Sequence, residues 1–314
     1  MSRYMSALVA TLVTIAAADT RPADVTICDY YTNAIFGVNN ATNQKAIVIA
    51  VVNTAVAGNY THNVQKTNIA VPGILAQNVT YNGTSVNLLP YFDGSLASSS
   101  IDGKASAVNW LDGGGAAPLY KSMPASSNGT HQYTLMTHLY EYFGGVLGCS
   151  GYGKGFPSYN STTSMYSVHK YMALNPFEVN YFIEQVGASA ASWGVSPADV
   201  EIVGSTLQSL FGQKCTANTS VLPGSPPELQ SICIDAACPQ APNASCSAYD
   251  AVEKPAAANG TATKHPSNGS APNNASGTMP AGSSGTSKNG AVTLQPWFGT
   301  VISVLAAGLV LMLL

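Results

Sequence analysis

Charge is scarce in this 314-residue chain: Asp, Glu, Lys and Arg together make up 9% of it, where about a quarter is usual for soluble proteins. Polar surface must therefore come from another source. Lysine and arginine form no cluster and the net charge is −3, which excludes an electrostatic binder of nucleic acid. Common catalytic patterns are missing as well. The sequence has no Gly-X-Ser-X-Gly elbow and no His-Glu-X-X-His zinc helix. Its "DGGGAAPL" at 112–119 lacks the Lys-Ser/Thr of a phosphate-binding loop and reads as a flexible turn. Carboxylates are scattered, so no pair of acids for glycoside hydrolysis can be assigned.

What is present points to the secretory route. "MSRYMSALVATLVTIAAADT" sets Arg3 before an apolar stretch and then small residues, the pattern of a signal peptide cleaved near Ala18. The other end, "WFGTVISVLAAGLVLMLL", is apolar from Trp297 to Leu314, and small residues and a polar spacer precede it. That order describes a glycosylphosphatidylinositol (GPI) attachment signal. The expected attachment residue is Asn289, with Ser283 and Ser284 as alternatives. Eleven Asn-X-Ser/Thr sites occur, at Asn40, Asn59, Asn78, Asn82, Asn128, Asn160, Asn218, Asn243, Asn259, Asn268 and Asn274. Attached sugar would supply the polar surface that charge does not. Cys28, Cys149, Cys215, Cys233, Cys238 and Cys246 form an even set, expected to pair as three disulfides in an oxidising compartment. Four of them crowd between 215 and 246, which favours pairing there and leaves Cys28 with Cys149. The expected location is the extracellular face of the plasma membrane or the cell wall. The expected partners are the outer membrane leaflet through the anchor and cell-wall polysaccharide.

Composition divides the chain into a signal peptide (1–18), a helical domain (19–214, with an insertion at about 94–129) and a Cys-rich cap (215–246). A disordered glycosylated stalk (247–289) and the anchor propeptide (290–314) follow. The stalk is Ala, Asn, Gly, Ser, Thr and Pro with little apolar content, too little to offset its ordering entropy. "NQKAIVIAVVNTAVAG" is a long apolar run suited to a buried helix, and "THQYTLMTHLYEYFGGVLG" spaces Met136, Leu139, Phe143 and Val146 helically. Two consecutive helices are announced by their caps. Asn175, Pro176 and Glu178 start one, with Val179, Phe182, Val186, Ala190 and Trp193 as its inner stripe. Ser196, Pro197 and Asp199 start the next, with Val200, Val203, Leu207 and Leu210 inward. The region between the early helix and Thr130 is rich in turn residues and holds either a short hairpin or only loops.

Of the five histidines, His62 and His265 read as solvent-facing, and His131 and His138 as a pair on one helix face. His169 differs. In "SMYSVHKYM", Met165 precedes it by four residues and Met172 follows by three, which sets it on the apolar side of a short helix. Such a histidine is either a hydrogen-bonded core residue or an axial ligand, because haem iron needs a neutral nitrogen and the macrocycle needs greasy walls.

The stretch from His131 to Gly212 resembles the truncated globins (group I type) in the order of its motifs. "THLYEYFGGVLGC" is similar to that family's E helix, and Met165, Val168 and His169 match its Met-X-X-Val-His proximal pattern. "FIEQVGASAASWGVSPADV" is similar to its G helix and the start of H, and "PYFDG" sits where the family has Pro-Phe-Phe. The resemblance implies an all-α, two-over-two helical sandwich in a fungal-type secreted GPI-anchored glycoprotein. It also implies haem held by His169, with Phe92, Leu135, His138, Leu139, Met165 and Met172 around it. The family's helix-B tyrosine falls near Val56, and distal positions fall on apolar Leu135 and Leu139. The expected function is gas binding or haem and peroxide chemistry. The alternative is a structural or adhesive wall glycoprotein without a cofactor.

Overall fold

The computed structural model describes residues 21–59 and 69–258. The signal peptide, the anchor propeptide and Asn289 lie outside the described residues, as do His62, His265, Asn259, Asn268 and Asn274. Among the described residues, no helix is long and apolar enough to cross a membrane.

Among the described residues seven α-helices build the core, and each of the longer ones begins at a capping side chain. Helix α1 (Ile27–Phe36) starts where Thr26 accepts from Asp29 N–H, and it ends at Gly37 in the left-handed conformation (φ 72°). Helix α2 (Ala41–Ala57) starts at Asn40 and buries Val48, Val52, Asn53, Thr54, Ala55 and Val56 among others. Its polar core residues are satisfied: Asn53 Nδ2 donates to Leu119 O at 3.0 Å and its Oδ1 accepts from Tyr140 at 2.6 Å. Trp193 Nε1 donates to Thr54 Oγ1 at 3.1 Å. The helix stops where Gly58 (φ 86°) meets the backbone of Pro72, at a separation that leaves no room for a Cβ.

A short helix α3 (Ala116–Leu119) precedes α4 (His131–Val146), which is capped by Thr130. Then come the five-residue α5 (Met165–His169), α6 (Pro176–Ser192) and α7 (Pro197–Phe211). Asn175 and Glu178 form the expected capping box on α6, and Ser196 accepts from Asp199 N–H on α7. Helices α6 and α7 pack as neighbours, and α2 lies between α6 and α4. Asp199 is fully buried and is met by Arg21 at 2.6 Å and by Tyr31 at 2.8 Å, which fastens the start of the described chain to α7.

The all-α expectation is wrong. The region read as a hairpin or loops contains two antiparallel hairpins, so the fold is mixed α/β. Strands β1 (Val79–Tyr81) and β2 (Thr84–Val86) pair with Val79 opposite Val86; β3 (Ser99–Ile101) and β4 (Lys104–Ser106) pair with Ser99 opposite Ser106. Both turn on two residues of positive φ, Asn82-Gly83 (48° and 76°) and Asp102-Gly103 (49° and 74°). That geometry matches the right-handed twist of the flanking strands, and Asn-Gly and Asp-Gly adopt it at least cost. The "DGGGAAPL" segment is also not a flexible turn. A Cβ on Gly113 would lie 2.6 Å from Ala125 and 2.9 Å from Gln132, and the Gln132 amide bonds both the N–H and the carbonyl of Gly115.

The disulfides are Cys28–Cys149, Cys215–Cys246 and Cys233–Cys238. The cap packs against the body through Cys233, whose N–H donates to Phe211 O at 2.9 Å. The segment expected to open a disordered stalk at 247 is instead fastened down as far as Ala258. Tyr249 stacks edge-on against Tyr166 and bonds Thr216 and Ser231; Ala97 donates to Ala256 O and Ala258 to Ser95 O. Backbone pairing and one aromatic anchor order a stretch that its composition alone would leave loose.

Candidate functional site

A cavity of about 450 Å³ lies between α1, α2, α4, α5, α6 and the β3 strand, within the size range of small-molecule sites. All seven residues expected around a cofactor line it: Phe92, Leu135, His138, Leu139, Met165, Met172 and His169. Val56 lines it too. His131 does not belong to it; its Nδ1 lies 2.9 Å from Asp112, and Trp110 packs edge-on against its ring. Burial works to raise the Asp112 carboxyl, but hydrogen bonds from Gln132 and His131 outweigh it and hold the group below the usual carboxylate range.

His169 is placed by the cap. Ser164 caps α5 by accepting from Ser167 N–H and also donates to Leu229 O at 2.9 Å. Buried Gln230 donates to Thr163 O at 3.0 Å and to Thr219 O at 3.2 Å, and its carbonyl oxygen receives Met165 N–H at 3.4 Å. After α5 one turn of 3-10 helix (Lys170–Met172) ends at Ala173, a non-glycine residue at φ 51°. From the outer side, Asp250 accepts from Lys170 at 2.8 Å and its N–H donates to Tyr166 at 2.7 Å. Five residues make too short a helix to stand alone, so these contacts set its position.

The imidazole itself is oriented by its own helix. Nδ1 lies 2.7 Å from the Met165 carbonyl oxygen. A carbonyl only accepts, so Nδ1 holds the proton and Nε2 keeps its lone pair. Among the described residues Nε2 has no partner. His169 is half-buried and lines the cavity. Burial lowers its pKa, against the opposing pull of the Met165 bond, and keeps it neutral. His138 is likewise lowered by burial.

These residues fit a haem. A neutral imidazole with Nδ1 tied to a carbonyl and Nε2 free is the arrangement a metal-ligating histidine needs. Among the described residues no three His, Cys, Asp or Glu side chains gather to hold a bare metal ion, whereas a macrocycle that brings four nitrogens asks for one protein ligand. Among the described residues no Lys or Arg lines the cavity; its polar lining includes Ser98, Ser99 and Ser100 and the exposed Ser161 and Thr162, and acidic edge groups of a macrocycle would have to face that rim.

Sequence reasoning missed several lining residues. Tyr142 follows His138 by one helical turn on α4; its ring meets Tyr159 edge-on at 5.6 Å, and its hydroxyl has no partner among the described residues. Glu178 lines the wall as well as capping α6, and burial raises its carboxyl despite hydrogen bonds from Asn175 N–H and Tyr91. The helical spacing of Leu135, His138, Leu139 and Tyr142 could have exposed Tyr142, since all four share one α4 face. No family model, curated protein or solved structure matches this chain.

Proposed function

We propose that this is an extracellular, GPI-anchored glycoprotein, attached at Asn289, that binds haem through His169 Nε2. One observation supports it above the rest: His169, its Nδ1 locked by the Met165 carbonyl and its Nε2 left with a lone pair, lines an apolar cavity of about 450 Å³. The bound group would supply an iron centre for gas binding or for slow peroxide chemistry. The chain's own share is to hold the ring neutral and aimed, to pack the macrocycle between Phe92, Leu139, Met165 and Met172, and to keep bulk water from the ligand bond. Low charge, three disulfides and exposed glycosylation sites support the extracellular setting.

Haem titration of the purified protein tests the reading. Wild type should develop a Soret band with saturable stoichiometry, and His169→Ala should lose the ligand-dependent part of that spectrum. Identical spectra for the two proteins would overturn the assignment. No band in either would leave a wall glycoprotein without a cofactor. Treatment with a phosphatidylinositol-specific phospholipase tests the anchor, and protein that stays with the membrane would refute it.

A further inference from the structure

The cavity is drawn out along the helices that wall it. On α6, Glu178, Phe182, Val186 and Ala190 line it at intervals of four residues, so one stripe of the helix faces it from the first turn to the last. From Glu178 to Ala190 the helix rises about 18 Å, roughly twice the diameter of a sphere of 450 Å³. Helix α4 gives the same measure, with Thr134 lining one end and Leu147, its C-cap, the other. The two ends differ in chemistry. At one, Ile101, Ser161 and Thr162 line the cavity and are exposed, and Ser98, Ser99 and Ser100 add hydroxyl side chains. Strand β3 packs on α5 and on the 3-10 turn that leads into α6, so this mouth lies at the Glu178 end. At the other, Tyr31, Ile47, Ala190 and Val195 form a buried apolar cluster with Val51 packed against it.

We propose that the cavity takes a neutral single-chain lipid, its unbranched alkyl tail running inward to Ala190 and its uncharged hydroxyl head at the serine-lined mouth. The inference shares its cavity with the haem reading but rests on no iron. Among the described residues no Lys or Arg lines the wall, so an anionic head finds no counter-charge there. The acid on the wall, Glu178, is engaged at both oxygens, by the Tyr91 hydroxyl at 3.0 Å and the Asn175 N–H at 2.9 Å, and a cationic head would have to displace those donors. A charged head therefore stays in water and draws the chain outward, exposing methylenes. An uncharged head lets the tail follow the apolar stripe, and each methylene buried adds to binding without any directional contact.

Calorimetric titration of the purified protein in detergent-free buffer with 1-octanol, 1-decanol and 1-dodecanol tests this. Affinity should rise about fourfold for each added methylene, equivalent to about 0.8 kcal/mol. Dodecanoate and dodecylammonium should each bind about tenfold more weakly than dodecanol. Ala190→Leu fills the inner end, so the longest alcohol should lose most affinity and octanol least. Val51→Phe, at a half-buried position of the same end, repeats the test if Ala190→Leu does not fold. Binding of no alcohol, an affinity that does not rise with length, charged heads bound as tightly as dodecanol, or a folded inner-end variant that keeps the full length dependence would each overturn the proposal. Haem titration reads iron ligation separately: a missing Soret band leaves the length dependence standing, and a missing length dependence leaves the Soret band standing.

Discussion

The Nδ1–H of His169 donates to the carbonyl oxygen of Met165, one helical turn earlier, at 2.7 Å. That single bond fixes the tautomer, leaves Nε2 with its lone pair and ties the ring to the helix that bears it. The helix is short, so its stability is borrowed from what surrounds it. Segment 229–234 of the cap holds its start, and segment 249–250 holds its outer face.

Gln230 is the most exposed weakness of that arrangement in energetic terms. It is 1% exposed and bonds Thr163 O, Thr219 O and Met165 N–H. Gln230→Ala would leave those backbone groups unpaired and open a void, costing about 2–4 kcal/mol. Urea unfolding should show that loss. Amide hydrogen exchange should rise in 164–169 more than in α6. Uniform faster exchange would mean that the cap does not hold α5 in particular.

Buried histidines give the ligand-free protein an acid sensitivity of known sign. Burial lowers the pKa of both His169 and His138 in the folded state, whereas the unfolded chain titrates near ~6.5. Below that pH the unfolded state binds protons that the folded state refuses. The histidine contribution to stability is therefore complete above about pH 6.5 and is lost as pH falls. Glu141, Glu178 and Glu184, all raised by burial, act with the opposite sign in the range between ordinary carboxylate pKa values and their own. Replacing one histidine isolates its share. His169→Gln should flatten the fall in the urea midpoint between pH 7 and pH 5, and an unchanged slope would show that the ring titrates freely.

Glycosylation sites differ in what their asparagines already do. Asn40, Asn78, Asn82, Asn128, Asn160, Asn218 and Asn243 are exposed, so sugar can project into solvent. Asn59 is partly buried; its Nδ2 donates to Ile69 O at 2.9 Å and its Oδ1 accepts from Val71 N–H. The amide there closes the chain between α2 and the β1–β2 hairpin. Glycopeptide mass spectrometry should find the exposed sites occupied and Asn59 bare. Asn59→Ala should lower stability by about 1–3 kcal/mol, while Asn128→Gln should change mass but not the thermal midpoint.

The helices were legible in the sequence because their signals are local. Asn175-Pro176 with Glu178, and Ser196-Pro197 with Asp199, specify a start whatever surrounds them. The hairpins were legible too, in "YNGT" and "IDGK", but each strand has only three residues and shows no alternation long enough to count. A globin-like expectation also favoured helix throughout. The cavity lining was half readable: His169 stands out by its spacing from Met165 and Met172, whereas Leu135, His138 and Leu139 were reached through the resemblance to the truncated globins. Ser98 to Ser100 arrive by tertiary packing of a strand that no period marks, and Gln230 is about sixty residues from the helix it supports. The order of residues 249–258 depends on Tyr249 finding Tyr166, a contact that composition cannot encode.

The three disulfides should contribute unequally, because each closes a different length of chain. Cys28–Cys149 spans 121 residues, Cys215–Cys246 spans 31 and Cys233–Cys238 spans 5. Loop-closure entropy in the unfolded chain assigns them about 5, about 4 and about 2 kcal/mol respectively. The longest also joins α1 to the end of α4, two elements of the cavity wall, and Cys28 N–H donates to Leu147 O beside it at 3.1 Å. The double replacement Cys28→Ala with Cys149→Ala should therefore cost most in urea unfolding and should weaken binding of any cavity ligand. The Cys233→Ala, Cys238→Ala pair should cost least. Its damage should instead appear near α5, because Cys233 and Ile234 pack on Leu174. If the five-residue loop proved the more stabilising, local strain relief and not chain entropy would govern the cap, and the support it gives His169 would be enthalpic in origin.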